Sequence, residues 1–210
     1  MKVVLKVLKI LLFTLVLGLI FIICGLVYFF IVNQGVYLDT SKLTKNTLVY
    51  EFYDANNTLF YKQNGKNGEN YVELSTLNDY TINAFISIED KRFYSHNGVD
   101  VKRILGAILS NVKALKIKEG ASTISQQLIK NTHLSSEKTL KRKLNEIYLT
   151  MQLENRYTKN EILEIYLNTI YFGGGAYGIN DASKLYFNKN ASDLTLNESA
   201  TFAGLIKAPN

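Results

Sequence analysis

The sequence predicts a mainly α-helical domain that follows a single membrane-spanning helix and a small β-containing connector. Three observations carry this prediction. Residues 10–32 form an uncharged apolar run, apolar positions repeat with a helical period from about residue 77, and no strand–helix–strand alternation occurs. The chain has 210 residues, 47% of them hydrophobic and 20% charged, which suits one globular domain with an appendage and excludes wholesale disorder.

The apolar run from Ile10 to Val32 is the predicted membrane anchor. As a helix it is roughly 35 Å long, enough to cross a hydrocarbon core of roughly 30 Å. Lys2, Lys6 and Lys9 precede it, so the positive-inside rule predicts a cytoplasmic N-terminus at residues 1–9 and an extracytoplasmic remainder. A cleaved signal peptide is the alternative, but its apolar region is usually about 7–15 residues long and ends in small side chains, whereas this run ends in bulky ones.

The net charge of the chain indicates which kinds of ligand it can bind. The formal net charge is +6, and half of it comes from the three lysines before the anchor. So mild an excess on the remaining residues suits a surface near anionic lipid or a phosphate-bearing ligand. It does not predict nucleic-acid binding, and the sequence contains no nucleic-acid-binding motif.

Residues 33–75 read as a connector that contains a short β element. Two β-prone runs, Leu48–Tyr53 and Thr58–Tyr61, flank the turn-like tetrapeptide Asp54–Asn57. A third β-prone run is predicted near Tyr71–Leu74.

The remaining residues, 76–210, form the predicted helical domain. Between Ile104 and Leu115 the apolar residues fall on one side of a helix that Asp100 is placed to cap. A second helix is predicted to begin near Ser136, with one apolar face made of Leu140, Leu144, Ile147 and Met151.

Two further helices are predicted from their N-terminal signals. Thr158 with Glu161, and Thr195 with Glu198, match the capping-box pattern ahead of apolar-periodic runs. The glycine run 173–175 is predicted to end the first of these helices.

The first candidate for chemistry is the segment Glu89–Gly98, in which two adjacent carboxylates precede two cations. A solvated helix end is the plain alternative. The apolar neighbours Ile86, Ile88 and Phe93 nevertheless place Glu89 beside a buried surface. A carboxylate in such a setting can serve as a general base near neutral pH.

The second candidate is the segment Gly120–Asn131, where Ser122 is the predicted helix N-cap. Gln126, Gln127 and Lys130 lie within about one helical turn, a set of donors suited to sugar hydroxyls and phosphate oxygens. The alternative is a capped helix whose polar residues face solvent. A nucleophilic serine is disfavoured, because neither of the two histidines has a recognisable triad context.

The third candidate contains Arg142, Lys143 and Glu146. The spacing of Arg142 and Glu146 also suits an ordinary surface ion pair. Leu149 and Leu153 continue their stripe, opposite the apolar face already predicted for this helix. A helix that is apolar on both sides is buried, so we expect its Arg142–Glu146 end to line a cleft.

Together these segments resemble the peptidoglycan glycosyltransferase domain of family 51, found in monofunctional transglycosylases and class A penicillin-binding proteins. The first segment matches the family pattern Glu-Asp-x-x-Phe-x-x-His-x-Gly, and the second matches Gly-x-Ser-Thr-Ile-x-Gln-Gln-Leu-x-Lys-Asn. The third matches Arg-Lys-x-x-Glu, and residues 159–168 match Lys-x-x-Ile-Leu-Glu-x-Tyr-Leu-Asn. The resemblance covers roughly residues 71–210.

The resemblance implies a lysozyme-like, mainly α fold that acts on lipid II, with the growing glycan on undecaprenyl diphosphate as donor. It implies that Glu89 is the general base, that Glu146 is a second essential carboxylate, and that Lys130 and Arg142 hold the diphosphate. The other implied substrate-binding residues are Asp90, Phe93, His96, Ser122, Thr123, Gln126, Gln127, Asn131 and Lys143.

The family resemblance also implies a cofactor and binding partners. Mg²⁺ or Mn²⁺ is expected to bridge the diphosphate with water and phosphate as its main ligands, and no residue is predicted as a metal ligand. Membrane lipid and other cell-wall synthesis proteins are the remaining expected partners. The chain ends at residues 208–210 inside what resembles a family motif, which predicts a truncated domain.

Two other functions fit part of the pattern. A muramidase-like hydrolase also uses carboxylates in a lysozyme-like cleft, but it has no diphosphate for Lys130 and Arg142 to neutralise. The second is a catalytically inactive membrane protein that still binds lipid II.

Overall fold

The structure is a computed structural model that describes residues 2–43, 49–64, 70–114 and 120–207. Within these ranges it contains eight α-helices and one two-stranded sheet, so the prediction of a mainly α fold is confirmed. The elements in chain order are α1 (Lys2–Val32), β1 (Val49–Tyr53), β2 (Leu59–Asn64), α2 (Asp79–Glu89), α3 (Val101–Ala114), α4 (Ile124–His133), α5 (Leu140–Arg156), α6 (Lys159–Thr169), α7 (Ile179–Phe187) and α8 (Leu196–Leu205).

Helix α1 contains the predicted anchor and extends it toward the N-terminus. By length and composition, residues Val4–Val32 can cross a membrane, and the side chains along this stretch are largely exposed. Exposed apolar side chains are what a helix surrounded by lipid presents. At its C-terminal end α1 contacts α5, where the rings of Phe29 and Tyr148 meet edge to face with centroids 6.0 Å apart.

The connector contains one β-hairpin where two β-prone runs were predicted. Strands β1 and β2 pair antiparallel, and Asp54 orders the turn between them by accepting the N–H groups of Asn56 and Thr58, both at 2.8 Å. The third predicted β run, Tyr71–Leu74, is wrong. The side-chain amide of Asn168 takes both hydrogen bonds of the Val72 backbone, at 2.8 Å each, in place of a neighbouring strand.

The domain core lies between α2, α4, α5, α6 and α8. Helix α2 packs on α8, and α4 packs on both α5 and α6. Aromatic side chains fill the space beside α2: the Phe172 ring lies 6.0 Å from that of Phe85 and 5.3 Å from that of Phe202. Burying apolar surface of this kind stabilises the fold by roughly 25 cal/mol per Å², so the helices that carry the three candidate motifs are held by one shared core.

The N-termini of the helices follow local signals, with two corrections. The capping boxes predicted for α6 and α8 are confirmed, as is the cap of α3 by Asp100, which accepts the Arg103 N–H at 2.8 Å. Helix α4 is capped by Thr123 and not by the predicted Ser122, because the Thr123 hydroxyl and the Gln126 amide form a capping box. Helix α5 begins at Leu140, later than predicted, because its cap is Thr139.

Two other helix predictions need correction. Helix α6 ends at Thr169, before the glycine run at 173–175, which instead forms a turn in which the Phe172 N–H donates to the Ala176 carbonyl at 2.9 Å. On α5, the predicted apolar face is largely outside the core, since Leu140 is 68% exposed and Met151 is 48% exposed. The core face of α5 is the opposite one, which contains Leu149 and Leu153.

Candidate active site

Glu89 is the last residue of α2, and its side chain lies at the edge of the core with 9% of the residue exposed. Its Oε2 accepts a hydrogen bond from the side-chain amide of Gln127 on α4 at 2.6 Å. The Tyr166 hydroxyl donates to the other end of that amide at 3.3 Å. Burial raises the pKa of Tyr166 far above its ordinary value, and the charges of Glu89 and Asp90 add to this, so the hydroxyl stays protonated and fixes the direction of the chain of hydrogen bonds.

Asp90 joins the end of α2 to the start of α4. It is fully buried, and its carboxylate contacts His96 Nε2 at 2.9 Å and accepts the Ile124 N–H at 3.2 Å. Its backbone carbonyl accepts the N–H of Phe93, whose ring is fully buried as well. Asp90 and Phe93 therefore support the site from inside the fold, and the contact with substrate expected of them stays a prediction.

The polar side chains on the other side of Glu89 come from the start of α3 and the residues before it. The Arg103 guanidinium donates to the backbone carbonyl of Glu89, and Arg92 is paired with Asp100. A cavity of about 430 Å³ opens here, and Glu89 forms part of its wall. The residues that line it are Ile88, Glu89, Lys91, Arg92, Asp100, Lys102 and Arg103.

These cations were not assigned to the site from the sequence. Lys91 and Arg92 follow the two carboxylates directly and gave a local signal. Lys102 and Arg103 lie 13 and 14 residues after Glu89, and only the packing of α3 brings them to the same cavity. Glu89 thus borders a cavity whose wall contains more cationic than anionic side chains.

Glu146 forms the second carboxylate centre, on α5. Only 2% of the residue is exposed, and the carboxylate accepts hydrogen bonds from Arg142 Nη1 at 2.8 Å and from Lys143 Nζ. Lys143 also lies 3.4 Å from the hydroxyl of Ser122, just before α4. An ordinary surface ion pair does not fit a carboxylate this deeply buried. The cleft expected at this end of α5 stays a prediction.

The second motif divides into buried and accessible residues. Thr123 and Gln126 are buried and hydrogen-bond to each other in the capping box, so they shape the start of α4. The substrate contact expected of them stays a prediction. Lys130 and Asn131 are exposed on the last turns of the same helix. Their side chains are accessible to a ligand.

The loop of the first motif packs directly on α5. Gly98 has φ +85°, and a Cβ there would lie 2.7 Å from Thr150 Cγ2 and 2.9 Å from Glu154 Cγ. Only glycine fits this close approach and this backbone conformation. Helix α4 and the residues just before it supply the other link, since Gln127 on the helix holds Glu89 and Ser122 before it contacts Lys143.

The fourth motif, on α6, is structural. The Glu164 carboxylate accepts the Tyr71 hydroxyl at 2.7 Å and the Leu74 N–H at 2.8 Å. With Asn168 and its two bonds to Val72, it fastens the segment before α2 to α6.

Among the residues that the structure describes, one group brings three potential metal ligands together. One atom each from Asp90, His96 and Asp100 lies within 4.8 Å of the others, a grouping that sequence spacing did not predict. Asp90 already accepts the Ile124 N–H and contacts His96, while Asp100 accepts from Arg92 and from the Arg103 N–H. This set suits a hydrogen-bonded clamp and does not fit a site for Mg²⁺ or Mn²⁺, which prefer open oxygen ligands.

Comparison with known proteins identifies the family. The family model described as transglycosylase matches residues 56–210. Penicillin-binding protein 1A of Clostridium tetani is 45% identical over 177 residues, which cover 82% of this chain and 22% of that protein. Penicillin-binding protein 2D of Bacillus subtilis is 49% identical over 161 residues, 73% of this chain and 23% of that protein.

A third relative shows the highest identity of the three over a shorter stretch. Penicillin-binding protein 1A of Clostridium botulinum is 56% identical over 133 residues, 61% of this chain and 16% of that protein. The chain thus spans less than a quarter of the length of these curated relatives. Because the family model matches well over half of the chain, the chain belongs to the transglycosylase family, which has a lysozyme-like fold.

Proposed function

We propose that this domain is a peptidoglycan glycosyltransferase that polymerises lipid II into β-1,4-linked glycan strands on the outer face of the cell membrane. The observation that carries the proposal is the presence of two carboxylates with different surroundings. Glu89 borders a cavity and is held by a neutral amide, whereas Glu146 is buried between two cations. One carboxylate is available to accept a proton, and the other is committed to orienting positive charge.

Glu89 is the general base in this proposal. Its carboxylate takes the proton of the acceptor's sugar 4-hydroxyl as that oxygen attacks the anomeric carbon of the donor. The new bond forms as the bond from the anomeric carbon to the phosphate oxygen breaks, so an α-linked diphosphate is exchanged for a β-1,4 linkage and undecaprenyl diphosphate leaves. The bond from Gln127 keeps one carboxylate oxygen occupied and leaves the other to accept the proton.

Arg142, Lys143 and Lys130 stabilise the leaving group. A diphosphate leaves as an anion, so neutralising its charge lowers the barrier more than protonating it does. Glu146 fixes Arg142 and Lys143 in one orientation before substrate arrives, which avoids reorganisation during the reaction. A divalent cation would be held mainly by the diphosphate oxygens and water.

The membrane contacts of the domain are proposed to include α3 as well as α1. Leu105, Ile108 and Leu109 of α3 are all more than half exposed and lie on an amphipathic helix. We expect the double variant Ile108→Asp and Leu109→Asp of an anchorless form to lose liposome binding, measured by co-sedimentation. Unchanged binding would remove α3 from the membrane-facing surface.

The activity is tested by incubating the purified protein with labelled lipid II and Mg²⁺ or Mn²⁺ in liposomes. We expect glycan polymer and free undecaprenyl diphosphate. Cleavage of finished glycan without polymerisation would instead indicate a muramidase-like hydrolase. Binding of lipid II without turnover would indicate an inactive lipid II-binding protein, and either result would contradict the proposed function.

A further inference from the structure

The segment that follows α1, residues 33–43, is bound to the helices of the site. The Gln152 side chain on α5 contacts its backbone twice: it accepts the Leu38 N–H at 3.0 Å and donates to the Val36 carbonyl at 3.3 Å. Nearer its end, His133 Nε2 lies 3.0 Å from the carbonyl of Asp39. A carbonyl oxygen only accepts, so Nε2 carries the hydrogen and donates it.

Apolar contacts secure the same segment. Leu38 and Leu43 are buried and belong to the hydrophobic core of the domain. Just before the segment, Phe29 of α1 contacts Tyr148 of α5. Residues 33–43 are therefore part of the folded domain and do not behave as a flexible tether.

Helix α5 carries both the contact with the anchor and the cationic centre. Arg142 lies six residues before Tyr148, so the two are separated by about 9 Å along the helix axis, whatever the tilt of the helix. Phe29 is three residues from the end of α1, at the outer edge of the apolar span. The headgroup layer on each side of a bilayer is roughly 5–8 Å thick, so the cationic centre lies within reach of the phosphates of membrane lipids.

We propose that residues 33–43, fastened by Gln152, form a rigid spacer that holds Arg142, Lys143 and Glu146 at the depth of a lipid-linked diphosphate. The anchor then positions the site as well as tethering it. Gln152 is a positioning residue, since both of its side-chain hydrogen bonds within the described part of the chain go to the backbone of the spacer. The inference rests on the proposed function and on α1 spanning a membrane.

The spacer affects the rate because the donor and the acceptor of the proposed reaction are both held in the membrane by lipid tails. A lipid tail confines the diphosphate to one depth, so a site held at that depth meets it at a high effective concentration. Displacing reacting groups by about 1 Å can lower a rate by about 100-fold, so a site that moves freely in depth loses most productive encounters. A substrate without a long tail is not confined and does not benefit from the spacer.

The test inserts six Gly/Ser residues after Gly35. This glycine is exposed, and nothing lies within 4 Å of a Cβ built there, so the added chain is accommodated while residues 36–43 stay bound. We expect polymerisation of lipid II in liposomes to fall by about tenfold or more, and turnover of a short-chain, water-soluble lipid II analogue to stay within about twofold. Gln152→Ala should give the same pattern with a smaller effect: a lower rate of lipid II polymerisation in liposomes, and little change in turnover of the soluble analogue.

The matched control places the same six residues between Asn56 and Asn57, in the exposed turn of the hairpin. It should leave both activities unchanged. Unchanged activity of the Gly35 insertion in liposomes would overturn the spacer, as would an equal loss on both substrates. Wild-type protein inactive on both substrates would instead contradict the proposed function.

Measuring how far the cationic centre lies from the lipid headgroups tests the inference without an activity assay. In a Cys24→Ser background, a fluorophore at Lys141→Cys reports energy transfer to labelled lipid headgroups, since Lys141 is exposed beside Arg142. We expect a short, narrow distance distribution in the parent protein and a longer, broader one after the Gly35 insertion. Identical distributions would show that the spacer does not set the depth of the site.

Discussion

Replacing Glu89 by glutamine is expected to lower glycan polymerisation by about 10²- to 10⁴-fold, the range that general base catalysis contributes. Glutamine has the same shape as glutamate and retains an oxygen that can accept the hydrogen bond from Gln127. It cannot accept the proton of the acceptor hydroxyl. The loss should therefore appear in turnover, while lipid II binding and the thermal unfolding midpoint remain close to those of the parent protein.

Glu137→Gln is the matched control, because it removes the charge of an exposed glutamate outside the four motifs. It should polymerise lipid II at the parent rate. Polymerisation near the parent level by a folded Glu89→Gln protein would exclude Glu89 as the base. A large drop in the unfolding midpoint of that variant would show that the carboxylate charge contributes to stability, and the chemical assignment would then need a separate test.

Local sequence signals predicted the helix caps well. Asp100, Thr158 and Thr195 each cap a helix by hydrogen bonding to the residue three positions later. The sequence pattern that predicts such a cap and the contacts that form it lie in the same short segment. At α4 two adjacent residues, Ser122 and Thr123, are both good caps. The spacing of Thr123 to Gln126 is that of a capping box, and this pattern selects Thr123 over Ser122.

The distribution of roles within the motifs depended on packing, which the sequence did not reveal. Asp90, Phe93, Thr123 and Gln126 belong to motifs that suggest substrate contact, yet tertiary contacts bury them and give them supporting roles. The reverse holds for Arg103, which lies outside the motifs and contacts the backbone of Glu89 through the docking of α3.

The error on α5 has a similar cause. Periodicity showed that the helix is apolar on two sides, but it could not say which side meets the core. The structure places Leu149 and Leu153 against the core and leaves Leu140 exposed. Glu146 is buried as well, because it shares the stripe of Leu149 and Leu153.

Replacing Glu146 by glutamine is also expected to lower turnover strongly, but through loss of cation positioning and not through loss of a base. In Glu146→Gln the side chain keeps its shape and still accepts a hydrogen bond, but the two cations beside it lose their counter-charge. Net positive charge at the centre rises, so attraction for the diphosphate persists or grows. Arg142 and Lys143 are no longer fixed, and a displacement of about 1 Å lowers turnover by about 100-fold.

The expected signature is therefore a fall in kcat with KM unchanged or lower, measured on lipid II in liposomes. Arg142→Ala is the less informative probe, because it leaves a buried carboxylate with one cation and so combines lost binding with lost stability. A raised KM with normal kcat in Glu146→Gln would mean that the carboxylate, through its cations, serves binding alone. Parent-level kinetics would mean that Arg142 and Lys143 hold their positions without it, and that the centre at Glu146 is not what stabilises the leaving diphosphate.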